Sequence, residues 1–393
     1  MESYVYDKSI PKLIHQIWIG PKKNPNYWTN TFSELYIENN PHYTYKLWNN
    51  ENYEDELNKY PILKMIFDNF KEYCYKADVL RLIVLYEYGG IYIDADSVWL
   101  NNKSFDFILK ECKNNFFIGR TPGNEKDSIY YLTNGVFGCS KNHFYLKSMI
   151  NTLCMKTYNW HNRIYSKKLV KNLESSRVCG PGLFTTELKN KDDVDILPSN
   201  YFFPIIWHGI KVKEVDYSKY TESYLFQYGT TTNSLNELTD INFYWINSNV
   251  KNKYHMYYLF SKYLIYNYRI NTENNDIVSH LKSIEKSYNN HDETSVICED
   301  DLDFVKNPRH DINEIVQLAP EGWEIIKVHC ETYESCNSSM FSKNENDSST
   351  LSYIINKKGM EKVLNNKEIL TDTMSLYSVC NTYNYTFPLF NRL

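Results

Sequence analysis

Apolar and polar positions along the chain follow two periods. Residues 12–19, KLIHQIWI, form a β-rich apolar run that Pro11 opens and Gly20-Pro21 closes, which predicts a buried strand. TYKLW at 44–48 predicts a second strand after the turn at Asn40-Pro41. From about residue 62 to residue 88 the period lengthens to that of a helix. Within YCYKADVLRLIVLYEY, Ala77, Leu80, Val84 and Tyr88 fall at helical spacing, and Gly89-Gly90 stands where helix ends favour glycine. Ile91-Tyr92-Ile93 then predicts a short strand that leads directly into Asp94-Ala95-Asp96. Further strands are expected at 115–118 and 135–139, and a helix after Gly180-Pro181-Gly182. Strand, helix, strand in this order predicts an α/β fold with a largely parallel sheet.

The pattern stops and restarts. YGTTTNSLNELTD at 228–240 is polar and turn-rich and reads as a linker. After it, FYWIN at 243–247 and YRIN at 268–271 read as strands around a helix at 253–265. DIVSHLKSIEKSY at 276–288 reads as an amphipathic helix, and SVIC at 295–298 as a strand that runs into Glu299-Asp300-Asp301. Two domains follow, 1–236 and 241–393, the second a smaller α/β unit. No sequence repeat relates them, yet both hold a buried strand that ends in paired acids.

The length of 393 residues agrees with two domains. A net charge of -5 argues against a nucleic-acid partner. Nine cysteines, an odd number with no Cys-x-x-Cys pair, argue against a secreted disulfide framework or a zinc site. The opening MESYVYDKSIPKLIHQIWIG is too polar for a signal peptide, and no apolar run approaches the ~20 residues of a membrane helix. A soluble, cytoplasmic protein with no transmembrane segment is the expectation.

The chemistry concentrates at the first acidic strand end. In extended backbone, residues two apart point the same way, so Asp94 and Asp96 can reach one cation. A hard divalent ion takes oxygen ligands and keeps positions for phosphates. A solvated acidic turn is the alternative. Asp78 and Arg81 share one helix face, either as an internal ion pair or as a carboxylate and guanidinium that hold sugar hydroxyls.

The run ADVLRLIVLYEYGGIYIDADSVWL at 77–100 resembles the core of glycosyltransferase family 32, which includes yeast-type initiating α-mannosyltransferases and α-1,4-galactosyltransferases. IPKLIHQIWIG at 10–20 resembles the family's first strand, and Asn134-Gly135 and Gly180-Pro181-Gly182 fall in the family's order. The resemblance spans about residues 8–210. It implies a GT-A-type mixed sheet flanked by helices, a nucleotide-sugar donor, a glycan or glycoprotein acceptor, Mn2+ or Mg2+, and a retaining hexosyltransferase reaction. It further implies that Asp94 and Asp96 hold metal and phosphate, and that Asp78, Arg81 and Asn134 serve the donor sugar. Trp18 would stack on the base, with ordinary core packing as its alternative. Many family members carry a late His. Here Gln227 and Tyr228 stand at that place, and His208 is another candidate for the third contact.

The second half, from SHL at 279–281 through Glu299-Asp300-Asp301, SYIINKKGMEKVL at 352–364, Asp372 and Pro388-Leu389, resembles a shortened glycosyltransferase family 25 domain. That resemblance implies a second site at His280, Glu299, Asp300 and Asp301, in a domain that is either active or degenerate.

Overall fold

The computed structural model describes residues 9–100, 103–122, 131–163, 179–205, 215–229, 241–272, 276–305, 307–329, 340–343, 349–387 and 389–393. The chain divides into two compact units, Met1–Leu235 and Asn236–Leu393. The residues 230–240 and His208 lie outside the described residues, as does Pro388.

In the first unit the strands are β1 (Leu13–Ile17), β2 (Thr44–Trp48), β3 (Gly90–Ile93), β4 (Ser97–Trp99), β5 (Phe116–Arg120), β6 (Leu132–Cys139), β7 (Asp195–Leu197) and β8 (Leu225–Gln227). Six of them form one sheet in the order β2-β1-β3-β6-β5-β7, and β4 pairs with β8 apart from it. The sheet is mixed, as the family resemblance implies, rather than largely parallel as the strand–helix–strand order alone predicts. β1 runs parallel to β2 and β3, and β5 to β7, but β6 lies antiparallel between β3 and β5. Every residue of β6 is buried, as a central strand covered on both faces requires.

Helices α1 (Pro61–Asn69), α2 (Tyr73–Tyr88), α3 (Phe144–Arg163) and α4 (Pro181–Leu188) flank this sheet. Val79, Leu82 and Ile83 of α2, Leu146 and Met149 of α3, and Phe184 of α4 pack with Tyr92, Ile118 and Phe137 of the sheet. The single helix expected over 62–88 is broken in two. At Phe70 the backbone turns extended (ψ 133°), and its ring packs edge-on to Tyr75 at 5.7 Å. That aromatic contact replaces the helical turn the periodicity suggests.

His15 ties three segments of the sheet together. Its Nδ1 accepts from Trp48 Nε1 at 3.0 Å, and its Nε2 lies 2.9 Å from the Gly89 carbonyl, so the neutral ring with a proton on Nε2 satisfies both. Gly89 (φ 65°) and Gly90 (φ 100°) adopt left-handed backbone, and a Cβ on Gly90 would sit 2.4 Å from the Leu13 carbonyl oxygen. The glycine pair lets β3 lie close against β1 and carry Asp94 to the end of the sheet.

The second unit repeats this plan. Its strands are β9 (Asn242–Asn247), β10 (Asn267–Asn271), β11 (Thr294–Glu299), β12 (Leu302–Phe304), β13 (Ile325–Lys327), β14 (Phe341–Ser342), β15 (Ser352–Asn356), β16 (Thr382–Tyr385) and β17 (Phe390–Arg392). The sheet order is β10-β9-β11-β15-β13-β16-β14, and β12 pairs with β17. Read from β10 to β16, the pairings are parallel, parallel, antiparallel, antiparallel and parallel, as they are from β2 to β7. β12–β17 is antiparallel, like β4–β8. The two units share one topology, and in each the third strand carries the acids. Tyr244, Ile297 and Tyr353 of the sheet form the core with Ile277 and Ile284 of α5 (Asp276–Asn289). None of the seven described cysteines is in a disulfide. Among the described residues no helix is long and apolar enough to cross a membrane.

Burial pushes His15 down to about 4, against the opposing pull of the Gly89 carbonyl. The native state therefore binds fewer protons than the unfolded chain between roughly pH 4 and pH 6.5. Stability is full above the unfolded value and falls as the pH drops toward the folded one, by up to about 3 kcal/mol for this residue. His143 is lowered to about 4 as well, also by burial. The decisive comparison is thus wild type against His15→Gln. Urea unfolding from neutral to mildly acidic pH should show a shallower loss in the variant, and parallel curves would refute the assignment.

Candidate functional site

The acidic pair stands at the carboxyl end of β3, beside the carboxyl end of β1, where ligands bind in open α/β sheets. The Asp94 N–H donates to the Gly135 carbonyl at 2.8 Å, and the Asp94 carbonyl accepts from Gln16 Nε2 at 3.2 Å. Tyr45 Oη in turn donates to Gln16 Oε1 at 2.9 Å. The main chain of the motif is thereby fixed from three strands.

Arg81 organises the side chains. Its guanidinium is buried (5% exposed), with Nη2 3.1 Å from Asp94 Oδ1 and 3.3 Å from Asp78 Oδ1. Nη1 donates to the Asn134 carbonyl at 2.5 Å, and the group lies 4.4 Å over the Tyr92 ring. Asn134 Nδ2 donates to Asp78 Oδ1 at 2.7 Å, and Tyr92 Oη to Asp94 Oδ1 at 2.8 Å. Burial pushes the Asp78 carboxyl up to about 6 despite Arg81 and Asn134.

A cavity of about 110 Å³ opens on this network, lined by Trp18, Tyr73, Cys74, Arg81, Asp94 and Asp96 among others. Trp18 is half-buried, and its Nε1 donates to the Lys22 carbonyl at 2.9 Å, so one part of the ring is left to the cavity wall. Asp78 and Asn134 do not line the cavity. They sit behind Arg81 and hold it. A larger groove of about 710 Å³, lined by Lys12, Lys113 and His143, lies at the other end of the strands, away from the acids.

Gln227 touches both acids. It lies at the end of β8, opposite Ser97 of β4, and its Nε2 is 2.6 Å from Asp94 Oδ2 and 3.4 Å from Asp96 Oδ1. Gly135 makes room for this contact. A Cβ there would stand 2.7 Å from Asp94 Oδ2 and 2.8 Å from Gln227 Nε2. Both acids therefore stand within reach of one amide nitrogen, and carboxylate oxygens are hard donors of the kind Mn2+ and Mg2+ take. Among the described residues no group of three or more His, Cys, Asp or Glu side chains is placed to hold a metal.

Some of this site had a signal in the sequence. Tyr92 precedes Asp94 by two on a strand, and Tyr73, Ala77 and Arg81 are spaced by four on a helix. The contact of Gln227, 133 residues from Asp94, had none beyond its place in the family order.

In the second unit the acids are engaged by their own chain. Asp300 is fully buried and accepts from Asn247 Nδ2 at 2.7 Å, Ser248 Oγ at 2.6 Å and the Asn249 N–H at 2.8 Å. Asp301 Oδ2 lies 2.8 Å from Arg392 Nε. Glu299 accepts from Thr350 Oγ1 at 2.7 Å and lies 3.7 Å from His280 Nε2. The His280 Nδ1 is 3.1 Å from Tyr353 Oη, and its ring stacks on Tyr353. The four residues stand at one end of the sheet, but Asp300 faces the 247–249 loop rather than its neighbours.

Two stability tests follow from these contacts. Arg81→Met leaves the buried Asp78 and the partly exposed Asp94 without their cation and should cost about 3 kcal/mol in urea unfolding, with part recovered by adding Asp78→Asn. Asp300→Ala should cost about 3 kcal/mol through three lost hydrogen bonds to a charged acceptor. A change under about 0.5 kcal/mol in either would show that the network does not carry the stability assigned to it.

Residues 25–115 match the family described as a glycosyltransferase sugar-binding region containing a DXD motif. That stretch lies in the first unit and includes Asp78, Arg81, Asp94 and Asp96. Over 154 residues the chain is 31% identical to inositol phosphoceramide mannosyltransferase 3 of Schizosaccharomyces pombe, which covers 39% of this chain and 40% of that protein. Over 199 residues it is 27% identical to uncharacterized glycosyltransferase L373 of Acanthamoeba polyphaga mimivirus, covering 50% of this chain and 73% of that one. Among solved structures, the PaToxG glycosyltransferase aligns at 19% identity with a TM-score of 0.32, over 47% of this chain and 70% of that one. The chain thus spans about two fifths of the length of the fungal relative. Its N-terminal region is similar to DXD-containing glycosyltransferases of the family 32 type.

Proposed function

We propose that the first unit is a metal-dependent hexosyltransferase. It would move a hexose from a UDP- or GDP-sugar to a glycan or glycoprotein acceptor, with retention of anomeric configuration. One observation carries the reading: Asp94 and Asp96 both reach the Gln227 amide at the carboxyl ends of the strands, and both line a cavity with Arg81 and Trp18.

Asp94 and Asp96 would hold Mn2+ or Mg2+, which when bound supplies positive charge for the departing nucleoside diphosphate. Arg81 holds the Asp94 carboxylate in place, since its guanidinium is committed to Asp78, Asp94 and the Asn134 carbonyl. Asp78 and Asn134 are positioning residues that fix Arg81. Trp18 offers an aromatic face to the base, beside Tyr73 across the same cavity. Fixed placement of donor and acceptor, with charge preorganised in a buried pocket, supplies the acceleration. This chemistry needs no nucleophile from the protein. The alternative is a non-catalytic glycan-binding or scaffold protein, which the cover of Gln227 over the acid pair favours. We propose that the second unit descends from the same fold and packs or binds acceptor.

The two readings separate in one assay. With Mn2+ and a panel of UDP- and GDP-hexoses, wild type should release nucleotide from at least one donor, and Asp96→Asn should lower that rate about a hundredfold or more. Neither binding nor release of nucleotide across the panel would leave the scaffold reading standing.

A further inference from the structure

The two units put one residue at the same point against their acidic pairs. In the first, the Asp94 N–H bonds the Gly135 carbonyl, and the Asp96 carbonyl accepts from the Tyr228 N–H at 3.0 Å. In the second, the Glu299 N–H bonds the Leu351 carbonyl at 2.9 Å, and the Asp301 carbonyl accepts from the Leu393 N–H at 2.8 Å. β4 pairs Ser97 with Gln227, and β12 pairs Leu302 with Arg392. Two independent strand registers therefore equate Asp94 with Glu299, Asp96 with Asp301, and Gln227 with Arg392. The first acid also meets a helix-borne basic side chain in each unit, Arg81 in one and His280 in the other.

We propose that the residue at this last strand end decides whether an acidic pair takes a divalent cation. The inference rests on the reading that Asp94 and Asp96 hold one. Gln227 offers the acids an uncharged amide, whose N–H is only partly positive and yields to an ion. Arg392 offers a permanent charge 2.8 Å from Asp301, at the strand position that Gln227 holds against the outward Asp94 Oδ2. Arg81, by contrast, lies against the inward Oδ1, so a second cation on Asp301 would meet a charge on its own side. The first unit is thus built to recruit a metal, and the second carries its own cation in the same place. The whole chain then binds one Mn2+, in the first unit.

The test titrates the full chain with Mn2+ alone, reading free Mn2+ by electron paramagnetic resonance and heat by calorimetry. Wild type should bind one equivalent, lost in Asp96→Asn and kept in Asp301→Asn. Gln227→Arg should bind at least about a hundredfold more weakly, because a fixed positive charge now meets the acids. Gln227→Lys brings the same charge on a slimmer side chain, and thermal unfolding without metal identifies which variant is folded. A folded Arg or Lys variant that binds Mn2+ as wild type does overturns the inference alone, as does a second equivalent in wild type that Asp301→Asn removes. Failure of wild type to bind any Mn2+ overturns the metal reading itself, and this inference with it.

Discussion

A single buried guanidinium sets the geometry of the first unit's acidic end. Arg81 lies between Asp78 and Asp94, donates to the Asn134 carbonyl and covers Tyr92. Two carboxylates this close repel each other, the buried Asp78 also resists losing water, and a shared cation offsets both costs. Once Arg81 is fixed, Asp94 has one oxygen committed inward, to Arg81 and Tyr92, and one turned outward to Gln227. The outward oxygen is the one available to a ligand. The two oxygens of one side chain therefore face different surroundings, one the buried network and one the Gln227 amide.

Much of the scaffold was legible in the sequence because it is local. The strands expected at 44–48 and 91–93, the helix that ends at Tyr88 and the glycine pair after it follow from short periods and from glycine's backbone freedom. The break at Phe70 was not legible, since an aromatic contact decides it and the apolar spacing runs on across it. The antiparallel place of β6 was also hidden, because strand direction depends on connections rather than on residue pattern.

The site divides in the same way. Residues on one helix face or one strand face could be grouped by spacing, which brought Asp78, Arg81, Asp94 and Asp96 forward. Spacing could not say which of them face a ligand. Asp78 and Asn134 turn out to stand behind Arg81, and only the folded chain separates wall from support. The second unit extends the lesson. Its acids share a letter pattern with the first, but Asp300 is taken up by a loop that begins 53 residues earlier, and Asp301 by an arginine 91 residues later. The likeness between the units lies in strand order and direction and not in residues, so no comparison of letters would reveal it.

Gly135 has a consequence for how the protein can vary. An aspartate can be exchanged for asparagine or glutamate with its outline nearly kept. Glycine has no such neighbour, since alanine is the smallest step away and its methyl carbon would stand 2.7 Å from Asp94 Oδ2. The atoms that methyl would meet are the ends of two side chains, Asp94 and Gln227, so the contact between them, rather than the main chain, would have to give way. A replacement at a residue without a functional group would thus be felt as a displacement of the groups around it.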